Sequence, residues 1–106
     1  MEITLQYFEG CPNWETTAAL LDRLCAEGLD ATSGLELIDT HDKAVARGFR
    51  GSPTVLIDGL DPFADKEAPV GLACRIYDTE DGLAGSPSLD QLRRAIITAT
   101  KGADRP

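Results

Sequence analysis

The hydrophobic period changes repeatedly along this chain, and that alternation restricts the folds open to it. In EITLQYF (Glu2–Phe8), Ile3, Leu5 and Tyr7 alternate with Glu2, Thr4 and Gln6, the period of a strand with one face toward a core. From Asn13 to about Glu27 the period lengthens to three or four residues. Trp14, Ala18, Leu21 and Cys25 form one helical stripe, Leu20 and Leu24 flank it, and Gly28 supplies a stop. GLELID (Gly34–Asp39) alternates again as a short strand. Thr40 or Asp42 can begin a second helix through Ala46, ended by Gly48. Thr54–Asp58 is apolar and β-branched, as a buried strand requires. Asp61–Val70 reads as the longest loop, and GLACRIYD (Gly71–Asp78) as another strand. Ser88 and Gln91 have capping-box spacing ahead of a final helix, whose inward stripe is Leu89, Leu92, Ile96 and Ala99.

The resulting order is β-α-β-α-β-β-α, an α/β pattern. Strands joined through helices are parallel or mixed, and the loop of about ten residues suits an antiparallel final pair. The 106 residues suffice for one domain with one modest core. Residues 1–100 are assigned to it and 101–106 to a flexible tail.

A net charge of −8 repels phosphate backbones and anionic headgroups, so neither nucleic acid nor membrane is an expected partner. No apolar run has the length of a bilayer span and no signal sequence is visible, which makes a cytoplasmic location the expectation. Three cysteines, Cys11, Cys25 and Cys74, are too few and too scattered for a secreted disulfide framework; they read as reduced thiols. The single histidine, His41, falls in no C-x-x-C or H-x-x-H pattern, reads as an exposed or capping residue, and leaves no metal centre to expect.

Two motifs carry a resemblance over residues 3–99. GCPNW (Gly10–Trp14) puts a cysteine between the first strand and the first long helix, and GFRGSPT (Gly48–Thr54) puts Ser-Pro-Thr at the opening of the third strand. With this element order they resemble the thioredoxin-like family. The resemblance implies a mixed four-stranded sheet flanked by three helices, with no cofactor. It implies that Cys11 is the nucleophile. It also implies that the Ser52–Pro53 bond is cis, with the Ser52 backbone beside the thiol, where it can pair with an extended substrate. The chain departs from the family at position 14, where Trp14 stands in place of the second cysteine. An intramolecular disulfide within that motif is therefore impossible.

The chemistry suits a thiol in this position. A free cysteine titrates near 8.5, and only the thiolate attacks. Helix N-termini favour negative charge, and Pro12 fits a first turn because its missing N–H would lack an intrahelical partner there. Glu9 and Glu15 push the other way, and Arg50 can offset them if its loop folds near Cys11. Trp14 is open between a ring that covers the thiol and shapes a substrate groove, and plain core packing. Cys25, on the apolar stripe, reads as structural. Cys74 shares a strand face with Leu72 and Ile76 and reads either as a core residue or as the resolving thiol for Cys11. The second reading requires Cα atoms within about 7 Å. Asp61–Pro69, with Phe63, is either a surface loop or a recognition loop.

Two functions follow as expectations. One is a thiol–disulfide oxidoreductase of atypical thioredoxin type. Cys11 attacks, Trp14, Ser52 and Pro53 bind the substrate, Arg50 tunes the thiol, and Cys74 or an external thiol resolves. Its partners would be a disulfide-containing protein or a low-molecular-weight thiol. The other is a non-catalytic binding module on the same fold for a protein partner or a soft metal, since a similar Gly-Cys-Pro-Asn-Trp start resembles small proteins grouped near alkylmercury lyases. The sequence assigns no oligomeric state.

Overall fold

In a computed structural model, described for residues 1–28, 31–64 and 68–103, the elements are β1 (Glu2–Tyr7), α1 (Asn13–Ala26), β2 (Thr32–Leu37), α2 (His41–Arg47), β3 (Thr54–Ile57), β4 (Tyr77–Thr79), β5 (Gly82–Ala84) and α3 (Leu89–Ala103). The loop expected over residues 61–70 is therefore seen in part, since 65–67 lie outside the described residues. α3 continues beyond residue 100, into the stretch read from sequence as tail, and 104–106 lie outside the described residues.

β1 is the middle strand of a mixed sheet with order β2-β1-β3. It runs parallel to β2, from Glu2 opposite Thr32 to Tyr7 opposite Leu37. It runs antiparallel to β3, from Ile3 opposite Ile57 to Gln6 opposite Thr54. Three helices and a mixed sheet agree with the α/β pattern, but this sheet has three strands where four were expected. Residues 71–76 do not extend it. The later β4 pairs with β5 in a separate two-stranded ribbon, from Tyr77 opposite Ala84 to Thr79 opposite Gly82.

The side chains explain the difference. The sequence pattern pointed Leu72, Cys74 and Ile76 inward. Leu72 is 39% exposed and Ile76 69%, whereas Tyr77 is buried and Arg75 is turned toward Asp61. A one-residue change of phase exchanges the two faces of an extended segment, and here the arginine and tyrosine take the inner one. The β4–β5 hairpin lies beyond the strand expected to end at Asp78; it turns through Asp81-Gly82, with Gly82 at φ 105°.

The main core gathers Ile3 and Leu5 of β1, Leu21 and Leu24 of α1, Val55 and Ile57 of β3, and Leu92 and Ile96 of α3. The buried line of α1 runs through Thr17, Leu21 and Leu24. Cys25, on the edge of that line, is half-buried and free. Thr17 is the polar member of the line, and its hydroxyl is matched by that of Ser86 at 2.7 Å. Gln6 also departs from the expected pattern. A middle strand is covered on both faces, so Gln6 is buried and donates to Glu36 at 2.7 Å. Arg47 of α2 reaches the same carboxylate at 3.1 Å. The Gln6 hydrogen bond, reinforced by Arg47 and opposed by burial, holds Glu36 below the usual carboxylate range.

Helix ends follow local sequence closely. Thr40 accepts from the Lys43 amide at the start of α2, and Gly48 ends that helix in a left-handed conformation at φ 64°. Ser88 and Gln91 make both bonds of a capping box, at 3.1 and 3.0 Å. No helix among the described residues is long and apolar enough to cross a membrane.

Candidate functional site

The β1–α1 junction sets the position of the thiol. β1 ends at Tyr7, the Cys11 amide donates to the Phe8 carbonyl at 3.2 Å, and Pro12 adopts helical dihedrals one residue before α1. This turn buries Cys11 completely at the start of the helix. From the other side, the Ser52 carbonyl oxygen lies 3.5 Å from Cys11 Sγ. The Ser52–Pro53 bond is cis, as the resemblance implies.

Cys74 completes the site. Its Cα lies 5.8 Å from that of Cys11, and the two sulfurs form a disulfide across a sequence separation of 63. The core reading of Cys74 is overturned, because the residue is exposed. The distance set for the resolving reading is met.

The backbone around Cys74 is held at Ser52 by two hydrogen bonds. Ser52 N–H donates to Ala73 C=O at 2.8 Å, and Arg75 N–H donates to Ser52 C=O at 2.8 Å. Together they make an isolated parallel bridge between Ser52 and Cys74. The close approach depends on Gly51. A Cβ there would lie 3.0 Å from Arg75 Cβ, 3.1 Å from Ala73 O and 3.3 Å from Arg75 N, and the φ of 129° also favours glycine.

Arg75 anchors this segment. Its guanidinium donates to Asp61 at 2.7 Å, to Thr54 Oγ1 at 3.3 Å and to the Phe63 carbonyl, and it lies 4.8 Å from the Tyr77 ring centroid. Phe63 meets Tyr77 edge to face with centroids 5.6 Å apart. The Tyr77 hydroxyl donates to the Pro53 carbonyl. Burial pushes the Tyr77 phenol well above its ordinary range; Asp61 adds to the shift and Arg75 opposes it. Arg75, Phe63, Tyr77, Cys74 and Arg50 line a cleft of about 560 Å³ beside the disulfide.

The other expected site residues divide. Ser52 and Pro53 are buried at the site. Arg50 lies in the cleft, and its guanidinium donates to the Ala68 carbonyl. Trp14 stacks on Tyr7, with centroids 4.3 Å apart and ring planes 31° from parallel, and packs on the main core. His41 is exposed at the start of α2. Asp61 opens the loop read as a surface or recognition loop and Gly51 lies in the Gly48–Thr54 motif, but sequence reading assigns no role of their own to these two, or to Arg75 and Tyr77. The signal was faint: a glycine before Ser-Pro, and an arginine immediately after a cysteine.

Among the described residues, Ser52 Oγ is the buried side-chain polar atom without a hydrogen-bond partner. The described residues contain no group of three or more His, Cys, Asp or Glu able to hold a metal. The chain matches no family model, no curated protein and no solved structure.

Proposed function

We propose that this chain is a thiol–disulfide oxidoreductase of thioredoxin-like type, with Cys11 and Cys74 as its redox pair. The observation that carries this reading is the pairing of a buried cysteine at the start of α1 with an exposed cysteine 5.8 Å away, Cα to Cα, on a segment hydrogen-bonded at Ser52. The exchange runs through a mixed disulfide. In the reduced protein, Cys11 thiolate attacks one sulfur of a substrate disulfide. The substrate S–S bond breaks, and the expelled thiolate takes a proton. Cys74, as thiolate, then attacks the Cys11 sulfur. This releases the second substrate thiol and closes Cys11–Cys74. Two electrons have moved from the protein to the substrate. An external thiol restores the dithiol, and it enters at Cys74, the sulfur of the pair on an exposed residue.

Trp14 is consistent with this cycle, because the resolving thiol comes from the segment bridged to Ser52 and not from the first turn of α1. The Ser52 carbonyl oxygen lies 3.5 Å from the Cys11 sulfur, within reach of the thiol once the bridge is reduced.

The test is trapping with a disulfide-activated protein substrate. Cys74→Ser is expected to accumulate a mixed disulfide through Cys11 and to lose turnover, and Cys11→Ser to lose turnover without that adduct. Turnover unchanged in Cys11→Ser removes this reading.

A further inference from the structure

β2 is an outer strand of the sheet, and among the described residues nothing pairs with its far side. The register shows which backbone groups face that side. The Thr32 amide donates to the Met1 carbonyl at 3.0 Å, and the Ile38 amide to the Tyr7 carbonyl at 2.7 Å. In a parallel ladder, residues bonded to the neighbouring strand alternate with residues whose N–H and C=O point away from it. Thr32, Gly34 and Glu36 therefore bond to β1, and the backbone groups of Ser33, Leu35 and Leu37 point outward. Natural edges of this kind are commonly blunted by lysine, proline or a bulge. The TSGLEL of β2 has no lysine or proline, and its register runs without a bulge. Its one charge, Glu36, is turned to Gln6 and Arg47. Leu35 is 57% exposed, and with Ala18, Leu21 and Asp22 of α1 it borders a hollow of about 160 Å³.

We propose that the open edge of β2 pairs with β2 of a second copy of this chain, antiparallel about a two-fold axis at Leu35. The edge is complementary to itself. A two-fold axis sets two copies of one strand antiparallel, and outward residues then exchange hydrogen bonds with outward residues. The register centred on Leu35 is the one that uses all three outward residues of both strands. Leu35 faces Leu35 of the partner subunit, Ser33 faces Leu37 of the partner subunit, and Leu37 faces Ser33 of the partner subunit. The charges fit as well. Glu36 falls opposite Gly34 of the partner subunit, so no two carboxylates oppose each other, and Glu36 keeps its own Arg47 at 3.1 Å. On the α1 face the two Leu35 side chains lie side by side and cover apolar surface that one copy alone leaves in water. The joined sheet has the order β3-β1-β2-β2-β1-β3, an ordinary size for a twisted sheet. Cys74 is bridged to Ser52 in the segment leading into β3, so pairing at β2 leaves it open. This inference does not depend on the redox reading.

Two measurements test this. The first is sedimentation equilibrium of the full chain from micromolar to millimolar concentration, with and without a phosphine reductant. A monomer–dimer equilibrium is expected in both conditions. A monomer throughout overturns the proposal and leaves the edge to a strand of a different protein. A dimer abolished by the phosphine also overturns it, because the link is then an interchain disulfide. Leu35→Lys, at a position exposed in the single chain, is expected to weaken the dimer about a hundredfold or more, since it removes the leucine pair and sets two ammonium groups face to face. Leu83→Lys, at another exposed leucine on β5, is expected to leave the dimer unchanged. Equal weakening by both substitutions, or by neither, overturns pairing at β2. The second measurement is amide exchange of the wild-type chain against concentration. Ser33, Leu35 and Leu37 amides are expected to gain about tenfold more protection than those of Thr32, Gly34 and Glu36 as the dimer fills. Protection that rises equally in both sets, or in neither, overturns the strand pairing.

Discussion

Gly51 shows how a single residue controls this site. It has no catalytic group, but a Cβ there would lie 3.1 Å from the Ala73 carbonyl and 3.3 Å from the Arg75 amide. Gly51→Ala is expected to cost about 1–3 kcal/mol through the strained φ and the crowded approach. It should also slow closure of the Cys11–Cys74 disulfide; thermal melts and oxidation rates of the variant against wild type check both effects. Tyr77 gives a pH prediction with a definite sign. Its phenol is pushed up on folding, so the folded state holds its proton where the unfolded chain, titrating near 10, begins to lose it. The contribution of Tyr77 to stability is therefore complete below that value and lost as the pH rises above it. Tyr77→Phe should flatten the fall in stability between about pH 10 and pH 11 in chemical denaturation. A fall of unchanged slope would show that the ring's burial does not govern it.

At the scale of elements, the parts held by local chemistry were legible in the sequence. The capping box of Ser88 and Gln91 and the left-handed Gly48 act within a few residues of themselves, and both stand where the spacing put them. Ser88→Ala should remove one cap bond and cost about 1 kcal/mol, read as a shift in the urea midpoint at unchanged slope. What the sequence concealed depends on distant partners. Gln6 looked solvent-facing because the alternation of β1 cannot reveal that this strand is central and covered on both sides. Residues 71–78 have the alternation of a strand, but a period-two pattern does not say which face is inner when an arginine finds an acid. Arg75 pairs with Asp61 and Cys74 is exposed, and among the described residues the sheet has three strands. The candidate site divides in the same way. Cys11, Ser52 and Pro53 were readable from two short motifs. Cys74 was readable only as one of two alternatives, because its closeness to Cys11 is set across 63 residues of chain.

At the scale of the whole molecule, that separation has an energetic consequence. A cross-link closing a loop of this size removes conformational freedom from the unfolded chain, with a typical stabilisation of about 2–4 kcal/mol. Reduction should therefore lower the unfolding free energy by about 2–4 kcal/mol in matched denaturant titrations. Cys74→Ser should reproduce the change, and neither should abolish folding. The main core, from Ile3 to Ile96, contains neither member of the pair. The redox role proposed above needs this separation of parts, because the protein must stay folded in both states while the bridge opens and closes. Thiol counting across a glutathione redox titration tests the central claim most directly, with each cysteine identified by alkylation and mass spectrometry. Cys11 and Cys74 are expected to disappear together as one two-electron couple while Cys25 remains alkylated throughout. Loss of Cys11 and Cys74 at separate potentials, or a bridge that involves Cys25, would contradict it.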